Sequence, residues 1–263
     1  MGKYALRFIA IGYVSALLLV PLGVVFRRAF ADGFGPAWDA VTTPAALHAF
    51  WLTILIALIA VPANTIFGVL CALAIVRHRF RGHGLVNSAV DLPLALSPVV
   101  VGLALLLLYG REGWFGGFLL EHDIRVIFAL PSMIRATIFV SLPFVVREVV
   151  PVLREIGDEQ EQAASTLGAS SWQTFWRVTL PAIRWGVAYG IVLTTARAIG
   201  EFGAVSVVSG RIAGRTETLT THVGERFEAF DLVGAYAASV VLALLAMSTL
   251  LVLTVFQRKE ERV

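Results

Sequence analysis

Apolar residues in this chain come in long runs instead of marking one face of each helix, and most charges fall between the runs. A helix needs about 20 apolar residues to cross the hydrocarbon core of a bilayer. Six stretches reach that length, approximately 7–26, 50–76, 85–109, 126–147, 182–209 and 232–256. Pro62, Pro93, Pro98, Pro131 and Pro143 lie within or near them, and membrane helices tolerate such breaks where neighbours satisfy the freed backbone groups. The first run follows Lys3 and Arg7 as a secretory leader would. Arg27 and Arg28, however, separate its apolar core from the only small-x-small site, Ala29-Phe30-Ala31, so it reads as an uncleaved span. The pattern predicts an all-α membrane protein with six transmembrane helices, residues 1–263 forming one membrane domain.

Composition agrees: the chain is 58% hydrophobic and 15% charged, where soluble domains carry about 25% charged residues. Lys and Arg accumulate in cytoplasmic loops, so their distribution predicts orientation. With the N-terminus inside, the cytoplasmic side holds twelve: Lys3, Arg7, Arg77, Arg79, Arg81, Arg147, Arg154, Arg177, Arg184, Arg258, Lys259 and Arg262. The outside holds seven: Arg27, Arg28, Arg111, Arg125, Arg211, Arg215 and Arg226. Both termini are therefore expected in the cytoplasm, and the net charge of +3 reflects topology and not a nucleic-acid partner.

The single cysteine, Cys71, excludes an intrachain disulfide and reads as a small packing residue. His48, His78, His83, His122 and His222 lie in or near connections, make no metal spacing and read as solvated. No metal site is expected. An integral membrane enzyme needs convergent His, Asp or Cys at membrane depth, and a self-sufficient ion-coupled transporter is expected to carry inverted repeats. The sequence displays neither. It also lacks a Gly-rich phosphate loop ending in GK[ST], so the chain is not expected to bind ATP.

The longest polar connection on the cytoplasmic side is 148–181. Asp158 and Glu161 have the spacing of a capping box, as do Ser170 and Gln173. They predict two short helices with a corner near Gly168. Ala163, Ala164, Leu167 and Gly168 share one face of the first, and a face so small lets another surface approach closely. Trp172, Phe175 and Trp176 would equally suit an amphipathic connector lying on the membrane. Periodicity leaves both readings open.

In register, Ala163, Ala164, Gly168, Val178, Leu180 and Pro181 resemble the EAA loop of bacterial ABC importer permeases. The chain departs from that pattern at its first letter: Gln162 precedes Ala163, and Glu161 lies one place earlier. Residues 196–210, ARAIGEFGAVSVVSG, are similar to the oxyanion branch of these permeases. Asp91-Leu92-Pro93, Ser97-Pro98-Val99-Val100 and Pro143-Phe144-Val145-Val146-Arg147-Glu148 narrow the resemblance to W-type permease subunits of sulfate/thiosulfate importers. The likeness runs from about residue 50 to 255.

The resemblance implies the MetI-like fold of type I ABC importer permeases. It implies four kinds of part: a binding protein that delivers the anion, a second permease subunit, two copies of a cytoplasmic ATPase, and the bacterial inner membrane around them. ATP and Mg would be used by the ATPase subunits, with no cofactor on this chain. The coupling loop, 155–181, would present Glu161, Gln162, Ala163, Ala164, Leu167, Gly168, Leu180 and Pro181 to the ATPase. A molybdate or tungstate permease working as a homodimer is the nearest alternative.

Charges inside spans are the candidates for an anion path. Arg197 and Glu201 are four residues apart and share a face. Facing lipid at the bilayer centre, each would cost about 2.5–3.5 kcal/mol, so they should face protein or water. Either they fix helix packing, with neighbours such as Asp91, or Arg197 offers positive potential to an anion while Glu201 holds its rotamer. Asp91 and Arg135 complete the path and gate candidates. Gly200, Gly203 and Ala204 allow close packing or a hinge. Glu225, Arg226, Glu228 and Asp231 form a charged outer loop suited to a docking protein or simply to solvent.

Overall fold

The computed structural model of the chain describes residues 3–78 and 80–260. Arg79 and Arg262, and the side chains of Lys3, Arg258 and Lys259, lie outside the described residues. Described secondary structure is entirely helical. The chain begins with α1 (Lys3–Ala29), the short α2 (Phe34–Val41) and the long α3 (Pro44–Arg77). Next come α4 (His83–Ala95), α5 (Pro98–Tyr109), the six-residue α6 (Gly116–Glu121) and α7 (Leu130–Ile156). The polar connection holds α8 (Glu159–Thr166), α9 (Ser171–Thr174), a π-helical turn (Phe175–Thr179) and α10 (Leu180–Ala182). The chain continues through α11 (Arg184–Ile199), α12 (Gly203–Val208), α13 (Leu219–Glu228) and α14 (Leu232–Glu260).

Four of these helices are long and apolar enough to cross a membrane, and the count reaches six if each of two bent pairs is one span. The third predicted span, 85–109, is such a pair: α4 and α5 meet at 110°. Pro98, at the first turn of α5, lacks an N–H and pushes Ser97 out of the helical region, to φ −62° and ψ 135°. The fifth, 182–209, is also not one rod. It bends by 71° where α10 meets α11 and breaks again at Gly200–Phe202 before α12. Pro181 has no N–H to donate, and the π-helical turn lies immediately before it.

α7 is the centre of the bundle. Towards one end, Val145, Val146, Val149, Val150 and Leu153 pack on Val69, Cys71, Ala72 and Ile75 of α3, Val90 of α4, and Ile183. Towards the other, Met133, Ala136 and Val140 pack on Leu52 and Ile56 of α3, Val101 of α5, and Ala204, Val205 and Val208 of α12. Small residues let the backbones close. A Cβ at Gly68 would lie 2.6 Å from Val145 Cβ, and one at Gly190 2.8 Å from Val145 Cα. The bundle's faces stay apolar, as in Leu58 at 68% and Leu107 at 70% exposure, which suits a lipid or subunit environment.

Candidate functional site

The polar connection folds as two short helices with a corner at Gly168, whose φ of 85° favours glycine. Ser170 and Gln173 form the full capping box expected of them. Asp158 does not: its side chain caps nothing, and the Glu161 side chain is turned elsewhere. Glu161 Oε2 takes Arg77 Nε at 2.9 Å, and its Oε1 accepts the Thr179 hydroxyl at 2.8 Å. Arg77 also donates to the carbonyls of Leu153 and Gly157, at 3.1 and 2.5 Å, closing off the last turn of α7 where backbone acceptors run out. The connection is therefore riveted to the ends of α3 and α7.

Its other side is open. Gln162, Ala163, Leu167, Gly168 and Pro181 are exposed, Ala164 and Leu180 half-buried. Leu167 is 88% exposed and Trp172 70%, beside a cluster in which Trp172, Phe175 and Trp176 rings lie 5.3–6.4 Å apart. Of the eight coupling candidates, five are exposed, Ala164 and Leu180 are half-buried with Leu180 packed on the core, and Glu161 faces inward.

Within the bundle, Arg197 Nη1 lies 2.5 Å from Glu201 Oε2, with side-chain exposures of 28% and 2%. Glu201 Oε1 accepts the N–H of Ala204 at 2.7 Å, an otherwise orphaned donor at the start of α12. Asp91 is not part of this pair. It binds Arg147 through both oxygens, at 2.6 and 2.5 Å, and Arg147 reaches Asn87 as well. Arg135 is exposed, donates to Pro131 O at 3.3 Å and covers the Tyr109 ring at 5.4 Å. The four path candidates therefore fall in three separate places. Gly203 packs against Pro98 and Ala204 is fully buried, whereas Gly200 is exposed and ends α11.

The reading of the histidines as solvated fails for three of them: His48 and His83 are half-buried, and His222 is 1% exposed, its Nδ1 3.1 Å from the equally buried Glu217. The connection 210–231 sends residues 216–222 into the interior, where Leu219 N donates to Thr53 Oγ1 at 2.8 Å. Thr53 stands nine residues into α3, about 14 Å along its axis. The polar letters TETLTTH signalled a loop, since nothing local reveals burial by distant helices. The charges of this connection do pair: Arg211 lies 3.4 Å from Glu225 and 3.5 Å from Glu228, and Arg226 3.4 Å from Asp231. Among the described residues no cluster of three or more His, Cys, Asp or Glu could hold a metal ion.

A bundle of apolar helices, partly broken, with a polar connection fastened at one end and a charge pair at depth, is the architecture of a multi-pass membrane transport subunit. The family model for the binding-protein-dependent transport system inner membrane component matches residues 64–262, and the chain belongs to that family. A sulfate transport system permease protein CysW from Synechocystis sp. is 50% identical over 257 residues, covering 98% of this chain and 93% of that protein. The sulfate transport system permease protein CysT of Escherichia coli K12 is 39% identical, covering 88% and 84%. In solved structures, a chain of a bacterial alginate ABC transporter in complex with an alginate-pentasaccharide-bound periplasmic protein superposes with TM-score 0.76. It shares 19% identity and covers 94% of this chain and 91% of that one, which is a match of fold.

Proposed function

We propose that this chain is one of two permease subunits of an ATP-driven importer for sulfate or thiosulfate in the bacterial inner membrane, with both termini in the cytoplasm. The observation that carries this is near-full-length likeness to sulfate permeases in a chain whose polar connection is fastened on one side and open on the other. Relatives named as two different permeases, CysW and CysT, support a non-identical partner over a homodimer for molybdate or tungstate. A periplasmic or surface-anchored binding protein brings the anion.

A cytoplasmic ATPase, two copies per importer, docks on the face formed by Ala163, Ala164, Leu167 and Gly168. ATP and Mg are held there and not by this chain. Movement of α8 passes through the Glu161–Arg77 and Glu161–Thr179 contacts to the ends of α3 and α7 and to the turn before α10. From there α11 carries it to Arg197. Arg197, partly exposed and anchored by Glu201, presents positive charge to a divalent anion without a deep site. The test is purification of the tagged chain in mild detergent with mass spectrometry of what accompanies it. An ATPase plus a second, different permease is expected; an intact complex without an ATPase contradicts the coupling reading.

A further inference from the structure

Residues 216–222 form a run of seven buried positions, six of them Thr, Glu or His within the bundle's grip on Arg197 and Glu201. The geometry points to Glu217 and His222 as positioning residues for anion passage, a buried latch that sets Arg197 through Glu201. This rests on the reading of Arg197 as part of the path.

The chain of contacts is short. Glu217 Oε1 and His222 Nδ1 meet at 3.1 Å across the first turn of α13, at 3% and 2% side-chain exposure. The second carboxyl oxygen of Glu217 and the Nδ1 of His222 are both buried with no hydrogen-bond partner among the described residues, so the close approach of the acid and the imidazole, and not a hydrogen bond, is what sets the two against each other. Between the two, the N–H of Leu219 donates to Thr53 on α3 at 2.8 Å. The hydroxyl of Thr220 donates to the carbonyl of Glu201 at 2.7 Å. The Thr220 hydroxyl thus grips, by its carbonyl, the residue whose side chain meets Arg197 and accepts the N–H of Ala204 at the start of α12. The void beside Thr53, Thr137, Glu201 and Thr218 is about 10 Å³, room for about one water, so displacement of the latch is passed on and not absorbed.

Packing alone does not call for this pair. Two apolar side chains would fill the same space without taking an acid and an imidazole out of water. What the polar pair adds is a fixed register for 216–222, and through it a fixed place for the Glu201 carbonyl.

The test uses the complete importer in proteoliposomes and reads sulfate delivered per ATP hydrolysed, a ratio that loss of folded protein does not move. Glu217→Gln and His222→Gln are each expected to lower it about tenfold, with assembled complex per membrane held within about twofold. On an Arg197→Gln background, adding Glu217→Gln is expected to change the ratio by less than about twofold, since the latch acts through Arg197. Effects that multiply, or a ratio equal to wild type, overturn the latch. A wild-type complex that carries no sulfate overturns instead the functional reading on which it stands. Hydrogen exchange gives a second reading: Glu217→Gln should speed exchange in 200–206 as well as in 216–222. A change confined to 216–222 overturns the proposal.

Discussion

Glu161 shows how one residue can look like a contact and serve as a rivet. It stands one place before the position where importer permeases carry their loop glutamate, and it points towards Arg77 and Thr179. Hydrogen bonds to charged groups contribute about 1.5–3 kcal/mol each, and these side chains are only 14% and 21% exposed. Glu161→Ala should therefore loosen the rivet while leaving the outer face of α8 intact. The expected outcome is an importer that still co-purifies its ATPase but moves severalfold less sulfate per ATP. Leu167→Asp, placed on the 88% exposed position, should instead lose the ATPase. If Glu161→Ala loses the ATPase as completely, Glu161 is a docking contact after all. The sequence showed the two short helices of the polar connection, their corner and the second capping box. It could not show which way Glu161 faced, because the arginine that turns it lies 84 residues away.

At the scale of elements, hydropathy found every long span and missed their breaks. Leu96, Ser97 and Pro98 do not interrupt an apolar window, yet the chain turns there by 110°. Composition has no means of measuring an angle that depends on α5 packing against α12, where a Cβ at Gly102 would sit 2.8 Å from the Ala204 carbonyl. The same blindness hid 216–222, whose polar letters describe a loop and whose burial is set by α3 and Glu201. Glycine contacts give an element-scale prediction. Gly190→Val would drive a side chain into the backbone of Val145 and force α11 off α7. Overpacking of this kind costs about 1–3 kcal/mol. Thermal unfolding in detergent should begin at lower temperature, whereas Gly117→Ala, with nothing within 4 Å, should unfold as wild type does. Equal midpoints for the two would contradict the close α7–α11 contact.

Across the whole molecule, the two ends of the bundle do different work around a shared α7. One end carries the fastened polar connection over the Val145–Leu153 cluster. Towards the other, α12 and the buried run 216–222 hold the Arg197–Glu201 pair. α11 joins them over 16 residues, about 24 Å of helix, beginning just past the 71° bend that follows the π-helical turn. The pairing of a docking face with an embedded cation, in a chain half identical to a sulfate permease, makes ATP-driven anion import the central claim. The most direct measurement is uptake of radiolabelled sulfate by proteoliposomes holding the complex purified through this chain, with wild type and Arg197→Gln side by side. ATP-dependent accumulation in wild type, strongly reduced in Arg197→Gln at equal complex, is the predicted result. Sulfate uptake that ignores ATP, or that Arg197→Gln leaves untouched, would contradict it.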